Sequence, residues 1–364
     1  MATAPPPALR NHQQWMLAER RRTLATLRRA WAHLASPAAG VNDLLPGVQA
    51  SMVNAVSASQ VRIARRSATA TLTASRQVGM TLSPQEWVIN PSAFAGTTGD
   101  GRALTGALQH TSARVIRLLD RGIPKAQALR AGWNMVSRAA GTALADTSRE
   151  AAVTTAHGAR LTHKVWVLGP NPCGRCIVRA GGVVRIANPR PRHPNCQCEA
   201  VFADRATAEG FATSAQEYLE KLDAAGDEVA LRRALGSQAN VDAWRAGADP
   251  VRIINSYRDA WLAARQRSTD ALGQTLRRPG SGGLARRLTE ARSPSISHSD
   301  FTAQTRNLMA PYGGQRPMPS VIFARADSEG WSRAEIASEL IRWGWTQPVL
   351  AQNPDFAPAL ARLT

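Results

Sequence analysis

The stretch Cys173-Gly174-Arg175-Cys176, followed after a Gly- and Pro-rich interval by Arg192-His193-Pro194-Asn195-Cys196-Gln197-Cys198, decides how this chain is read. All 4 cysteines of the 364-residue sequence fall inside it. A Cys-x-x-Cys pair can grip one metal ion from a tight turn, with Gly174 supplying backbone freedom. Cys196 and Cys198 are two apart, and in an extended segment both project to one side. His193 stands just before them. Cys173, Cys176, His193, Cys196 and Cys198 therefore compete for the four tetrahedral positions of a zinc ion, as four thiolates or as three thiolates with His193. Four protein ligands close the shell to water, which marks a structural site rather than a catalytic one.

Three other readings stay open: two disulfides, a redox Cys-x-x-Cys, and four unligated thiols. The amino terminus carries Pro5-Pro6-Pro7 and no apolar run of the secretory type. A reducing compartment is the expectation, and it disfavours disulfides. A redox motif opens a helix after a strand, and Gly181-Gly182 follow too soon for one.

Around the window, Val165-Trp166-Val167-Leu168 reads as a strand leading in. Gly181-Gly182 reads as a turn and Val183-Val184-Arg185-Ile186 as a short strand, giving a ribbon-like arrangement. Pro170, Pro172, Pro189, Pro191 and Pro194 stiffen the loops. Towards the amino terminus, Leu17, Leu24, Leu27, Trp31 and Leu34 predict a helix over residues 10–35. Val48, Met52, Val56 and Ile63 predict a second from Pro46 to Val78. Residues 90–101 read as a loop. Val115, Leu118 and Leu119 mark a third helix, and Pro124 opens a fourth that carries Leu129, Trp133, Val136, Ala140 and Leu144 towards Gly158. Trp15, Trp31 and Trp133 read as core anchors.

Beyond the window, Ser214-x-x-Glu217 and Ser332-x-x-Glu335 are capping boxes that open short helices. Asp249-Pro250 opens another, and Gly344 closes the last. The expected fold class is mostly α, with long amino-terminal helices, a small β-hairpin or zinc-ribbon-like module in the middle, and short helices at the carboxy terminus. The expected divisions are a basic helical region (1–100), helices plus the zinc-stapled module (101–203), a short-helix region (204–277), a flexible linker (278–300) and a carboxy-terminal helical segment (301–364).

Charge is uneven. Residues 1–200 carry +17 of the formal net charge of +19. Arg175, Arg179, Arg185, Arg190 and Arg192 crowd the cysteine window and are the candidate contacts to nucleic acid or to an acidic protein surface. Only Lys125, Lys164 and Lys221 are lysines, and an Arg-rich, Lys-poor chain also fits a GC-rich genome. No apolar run approaches eighteen residues, so a soluble protein without membrane spans is expected.

Cys173 to Cys176, Ala180-Gly181-Gly182-Val183 and His193 to Cys198 together resemble the phage Mu F-like (MuF) minor head protein family, in the form found in tailed phages of actinobacteria. The segments Leu235–Asp249, Val251–Asn255, Met318–Phe323 and Ile336–Trp345 are similar to stretches those proteins carry after the paired cysteines. The resemblance spans roughly residues 105–346. Ile253-Ile254-Asn255-Ser256-Tyr257-Arg258-Asp259 departs from the family's Val/Ile-Asn-Ala-Arg-Arg-Gly run.

The resemblance implies a non-enzymatic virion component in low copy number, made in the host cytoplasm and carried inside the head near the portal. Its implied roles are head assembly and DNA packaging or ejection. Its implied partners are the portal protein and/or the major capsid protein, with packaged double-stranded DNA held by non-specific electrostatics. Two alternatives remain. A capsid maturation protease lacks support from any Gly-x-Ser-x-Gly or His-Glu-x-x-His, and Ser297-His298-Ser299-Asp300 are neighbours that cannot converge on one centre. A zinc-containing DNA-binding regulator would need the reading helix and histidine pair of a finger, and neither is present.

Overall fold

The computed structural model describes residues 4–36, 40–85, 87–169, 172–188, 196, 198–254 and 316–348. Four helices build the amino-terminal half: α1 (Pro7–Ala32), α2 (Val41–Gln77), α3 (Leu104–Leu119) and α4 (Lys125–Gly158). Their shared core holds Leu27, Trp31, Met52, Val56, Ile63, Val115, Val136 and Leu144. The apolar stripes of α2 and α4 thus point where their spacing directs. Trp31 is buried, whereas Trp15 and Trp133 only pack against the rim of this core. Short 3-10 turns at His33–Ala35 and Pro91–Phe94 occupy stretches read as a helix end and a loop.

α1 departs from its expected stripe. Between Leu9 and Leu27 its buried residues are all polar, His12, Gln13, Glu19 and Thr23, and Leu17 is only half-buried. Glu19 is satisfied there by Ser59 Oγ at 2.7 Å, by Arg22 at 2.7 Å and by Arg62 at 2.6 Å. Burial alone would raise its pKa, but those hydrogen bonds outweigh burial and hold the carboxyl below its usual range.

From Ala143 to Ala156, α4 is buried on nearly every side, as expected of a helix at the centre of a fold rather than on its surface. It supports a sheet of β2 (His163–Val167), β3 (Val183–Arg185) and β4 (Glu199–Ala203) in the order β3-β2-β4, all antiparallel. The side chains alternate between two faces. Trp166, Ala200 and Phe202 join one core with α4, and Val165, Val167, Val201 and Ala203 join another with Leu9, Ala74 and Phe211.

Short helices follow: α5 (Gly174–Arg179) between β2 and β3, then α6 (Arg205–Glu209), α7 (Ala215–Ala224), α8 (Glu228–Leu235) and α9 (Gln238–Arg245). Residues 250–254 are helical, as Asp249-Pro250 predicts. α10 (Pro319–Glu329), α11 (Arg333–Arg342) and β5 (Thr346–Pro348) return to the first half. There β5 pairs with β1 (Trp87–Ile89), with Val88 opposite Gln347. Trp345, Phe323, Ile322 and Leu340 fill the same core as Trp87, Phe94 and Trp166.

Both capping boxes form, at Ser214 with Glu217 and at Ser332 with Glu335. The mostly helical architecture with a small β module in its middle is therefore present. The expected linker at 278–300 lies outside the described residues.

Candidate metal centre

β2 ends at Val167, and Cys173 is the N-cap residue of α5. Its carbonyl accepts from Cys176 N at 2.9 Å and from Ile177 N at 3.1 Å. The first cysteine pair therefore opens a one-and-a-half-turn helix, where a tight turn was expected. The role expected of Gly174 also changes. Its site is not a left-handed position; a Cβ there would meet the carbonyl oxygen of Ala234 and the side chain of Ile254. Glycine is required because α8 and residue 254 approach so closely. Gly181, in contrast, has φ +78°, and a Cβ there would meet the backbone of Thr213, so both conformation and space demand glycine.

In the second pair, Cys198 stands immediately before β4. Cys176, Cys196 and Cys198 are all buried, and their Sγ atoms lie within 4.8 Å of one another. Cys176 Sγ is 3.3 Å from Cys196 Sγ and 3.8 Å from Cys173 Sγ. Cys173 is half-buried at the rim. Zn–S bonds of about 2.3 Å in a tetrahedron place neighbouring sulfurs about 3.8 Å apart, so this donor set fits one such ion. No disulfide joins the four cysteines. His193 lies outside the described residues, as do Pro170, Pro189, Pro191, Pro194, Arg190 and Arg192.

Crowding acts on the thiols themselves. Hydrogen bonds with Cys173, Cys196 and Cys198, and then burial, push the Cys176 thiol up. For Cys198, the bond to Cys176 pulls the pKa down, but the contact with Cys196 and burial prevail and push it up to about 12. Gly169 N also donates to Cys198 Sγ at 3.4 Å. A cation displacing the thiol protons would relieve this crowding.

A buried cation already stands beside the cluster. Arg149, on α4, donates from Nη2 to the carbonyl oxygen of Cys196 and from Nε to that of Cys198 at 3.4 Å. Its Nη1 pairs with Asp146 at 3.1 Å. Burial would lower the pKa of Arg149, but the negative charges of Cys196, Glu199, Asp146 and Cys198 together outweigh it and raise the value. The guanidinium thus fixes the second cysteine pair to the central helix and offsets thiolate charge. Sequence reasoning overlooked it. The available signal was Arg149-Glu150, a charged pair interrupting a stretch of Ala, Thr and Val that must be buried.

Next to Arg149, Ser148 Oγ donates to Glu199 Oε1 at 3.0 Å and lies 3.0 Å from His12 Nε2. Ser67 Oγ closes the group, 3.2 Å from the same nitrogen. These residue types are those of a hydrolytic triad, but the acid contacts the serine rather than the histidine. The whole group is sealed between α1, α2, α4 and β4, with Ser148 at 0% exposure. Its hydrogen bonds join these four elements to one another. Ser297, His298, Ser299 and Asp300 lie outside the described residues.

Of the arginines expected to contact polyanions, Arg175, Arg179 and Arg185 are exposed. Arg185 is held by Asp327 of α10 at 2.6 Å. Among the described residues, no helix is long and apolar enough to cross a membrane.

No protein-family profile, no curated protein and no solved structure matches the chain.

Proposed function

We propose that Cys176, Cys196 and Cys198, completed by Cys173 or His193, hold a structural zinc ion, and that the protein is a minor head protein of a tailed phage. The observation that carries the first part is the convergence of three buried sulfurs from the two halves of the cysteine window. Thiolate-only or thiolate-rich donor sets favour zinc among the common ions of the cytosol, and burial leaves no open ligand position for catalysis. The ion would tie the start of α5 to the start of β4, beside the central helix.

The phage-head reading rests on the resemblance of the cysteine window. It agrees with a chain whose amino-terminal half carries nearly all of the excess positive charge. Such charge suits contact with packaged DNA or with an acidic portal or capsid surface, without sequence readout. Mass spectrometry of purified particles from the source phage tests this part. The protein should be present at low copy, and its absence from particles would overturn the head role while leaving the zinc centre standing.

A further inference from the structure

α2 leaves part of one face uncovered beside β1. Residues 65, 68, 69, 72, 73 and 76 recur at three- and four-residue steps and form one wall of a cleft of about 490 Å³. Val88, Ile89 and Pro91 form the opposite wall. Ala68 and Leu72 give the cleft an apolar floor, since both pack on the core yet stay partly exposed. Arg65 and Arg76 stand exposed at its two ends. Neither has an ion-pair partner among the described residues, and no described carboxylate lines the cleft. At about 1.5 Å of rise per residue, the two arginines are roughly 16 Å apart along the helix.

The far wall is a strand edge. β1 pairs with β5 alone among the described strands. Val88 lies opposite Gln347, and Asn90 N donates to Trp345 O at 2.8 Å. Hydrogen bonding alternates along an antiparallel pair. The peptide groups of Trp87 and Ile89 therefore both point away from β5. Those of Trp87 are buried, with its carbonyl close to Gly158 of α4, so only Ile89, itself 7% exposed, carries this edge along the cleft that it lines.

We propose that this cleft docks an acidic, extended segment of a partner protein, which adds a strand to the outer edge of β1 and sets carboxylates against Arg65 and Arg76. An extended chain advances about 3.3 Å per residue, so roughly five residues bridge the two guanidiniums. Main-chain bonds to Ile89 supply affinity, and alternate side chains resting on Leu72 and Ala68 supply selectivity, as in other strand-addition sites. The surrounding positive field steers an acidic segment towards the cleft. Duplex DNA satisfies only half of this surface: it offers phosphates to the arginines, but no strand to pair with β1 and no apolar group for Leu72. The proposal depends neither on the metal nor on the phage-head reading.

Fluorescence anisotropy with the full-length protein tests it, using a labelled octapeptide of alternating valine and glutamate. Saturable binding is expected, weakened at least about tenfold by Arg65→Glu with Arg76→Glu, a loss of about 1.4 kcal/mol. The pair Arg121→Glu with Arg130→Glu, exposed and outside the lining of the cleft, makes the same change in net charge and should cost far less. A peptide N-methylated at every residue has no N–H left on either edge to pair with β1 and should also bind at least about tenfold more weakly. No saturable binding, equal loss in both arginine pairs, or full binding of the N-methylated peptide would each overturn the proposal. Tighter binding of a short DNA duplex that depends on Arg65 and Arg76 would overturn it in favour of a nucleic-acid surface.

Discussion

Arg149 reaches from the buried side of α4 to the carbonyl oxygen of Cys196, so the second half of the cysteine window is anchored by a residue far upstream in the sequence. The same guanidinium serves Cys198 and Asp146, and only 3% of its side chain is exposed. Removing it leaves two buried carbonyls and a carboxylate without their donor. Arg149→Met should therefore lower stability by about 3–5 kcal/mol, the cost of breaking a buried charged pair. Arg149→Lys should recover only part, because an ammonium cannot reproduce the guanidinium fork. Urea unfolding at constant m-value checks both, and a loss below about 1 kcal/mol for Arg149→Met would contradict this account.

The neighbouring Glu150 ties the central helix α4 to the start of α10. Its carboxylate accepts from Ser320 N at 2.9 Å and from Ser320 Oγ at 2.7 Å, capping the start of α10. Glu150→Ala should destabilise the protein by about 2 kcal/mol, at the upper end of capping effects. Hydrogen exchange should show faster amide exchange in residues 316–348, with α1 largely unchanged. Uniform acceleration across the whole chain would contradict a local role.

Gly174→Ala places a methyl group against the Ala234 carbonyl and Ile254. Backbone cannot yield as a flexible side chain does, so a loss of about 1–3 kcal/mol is expected. Thermal unfolding measures it. An unchanged midpoint would show that α8 is not packed against α5.

Acid should weaken the fold through His12. Burial first, and the nearby Arg66 charge second, lower its pKa from 6.5 to about 4. Between these values the unfolded chain takes up a proton that the folded chain refuses. Stability therefore falls as the pH drops from about 6.5 to about 4, by roughly 3 kcal/mol in total. The depressed Glu19 carboxylate adds a further loss that begins as the pH falls through its usual value of 4.5 and grows below it. His12→Gln should flatten the profile between pH 6.5 and 4, and a slope identical to that of the parent would contradict the assignment.

Where burial and apolarity coincide, the sequence was legible. Val48, Met52, Val56 and Ile63 recur at helical steps, and all four are core residues of α2. Ser214 with Glu217 and Ser332 with Glu335 are local motifs, complete within four residues, and both form. Legibility failed where polar groups are buried. His12, Glu19 and Thr23 line the inner face of α1, yet a hydrophobic pattern reads them as surface, because their partners Ser59, Ser67 and Ser148 lie on other helices. β4 was not foreseen, although Ala200-Val201-Phe202 has strand character, because the cysteines drew the boundary of the module. The metal window was legible as a donor set. Its helix at α5 and its Arg149 anchor were not, since both depend on long-range packing.

The most direct test of the central claim is the metal content of the full-length protein, purified without chelators and measured by elemental mass spectrometry. One zinc per chain is predicted, falling below about a tenth of that in Cys176→Ser, with faster hydrogen exchange over residues 165–200. A parent protein that unfolds cooperatively yet carries no stoichiometric metal, or a Cys176→Ser variant that keeps its full zinc content, would contradict the account.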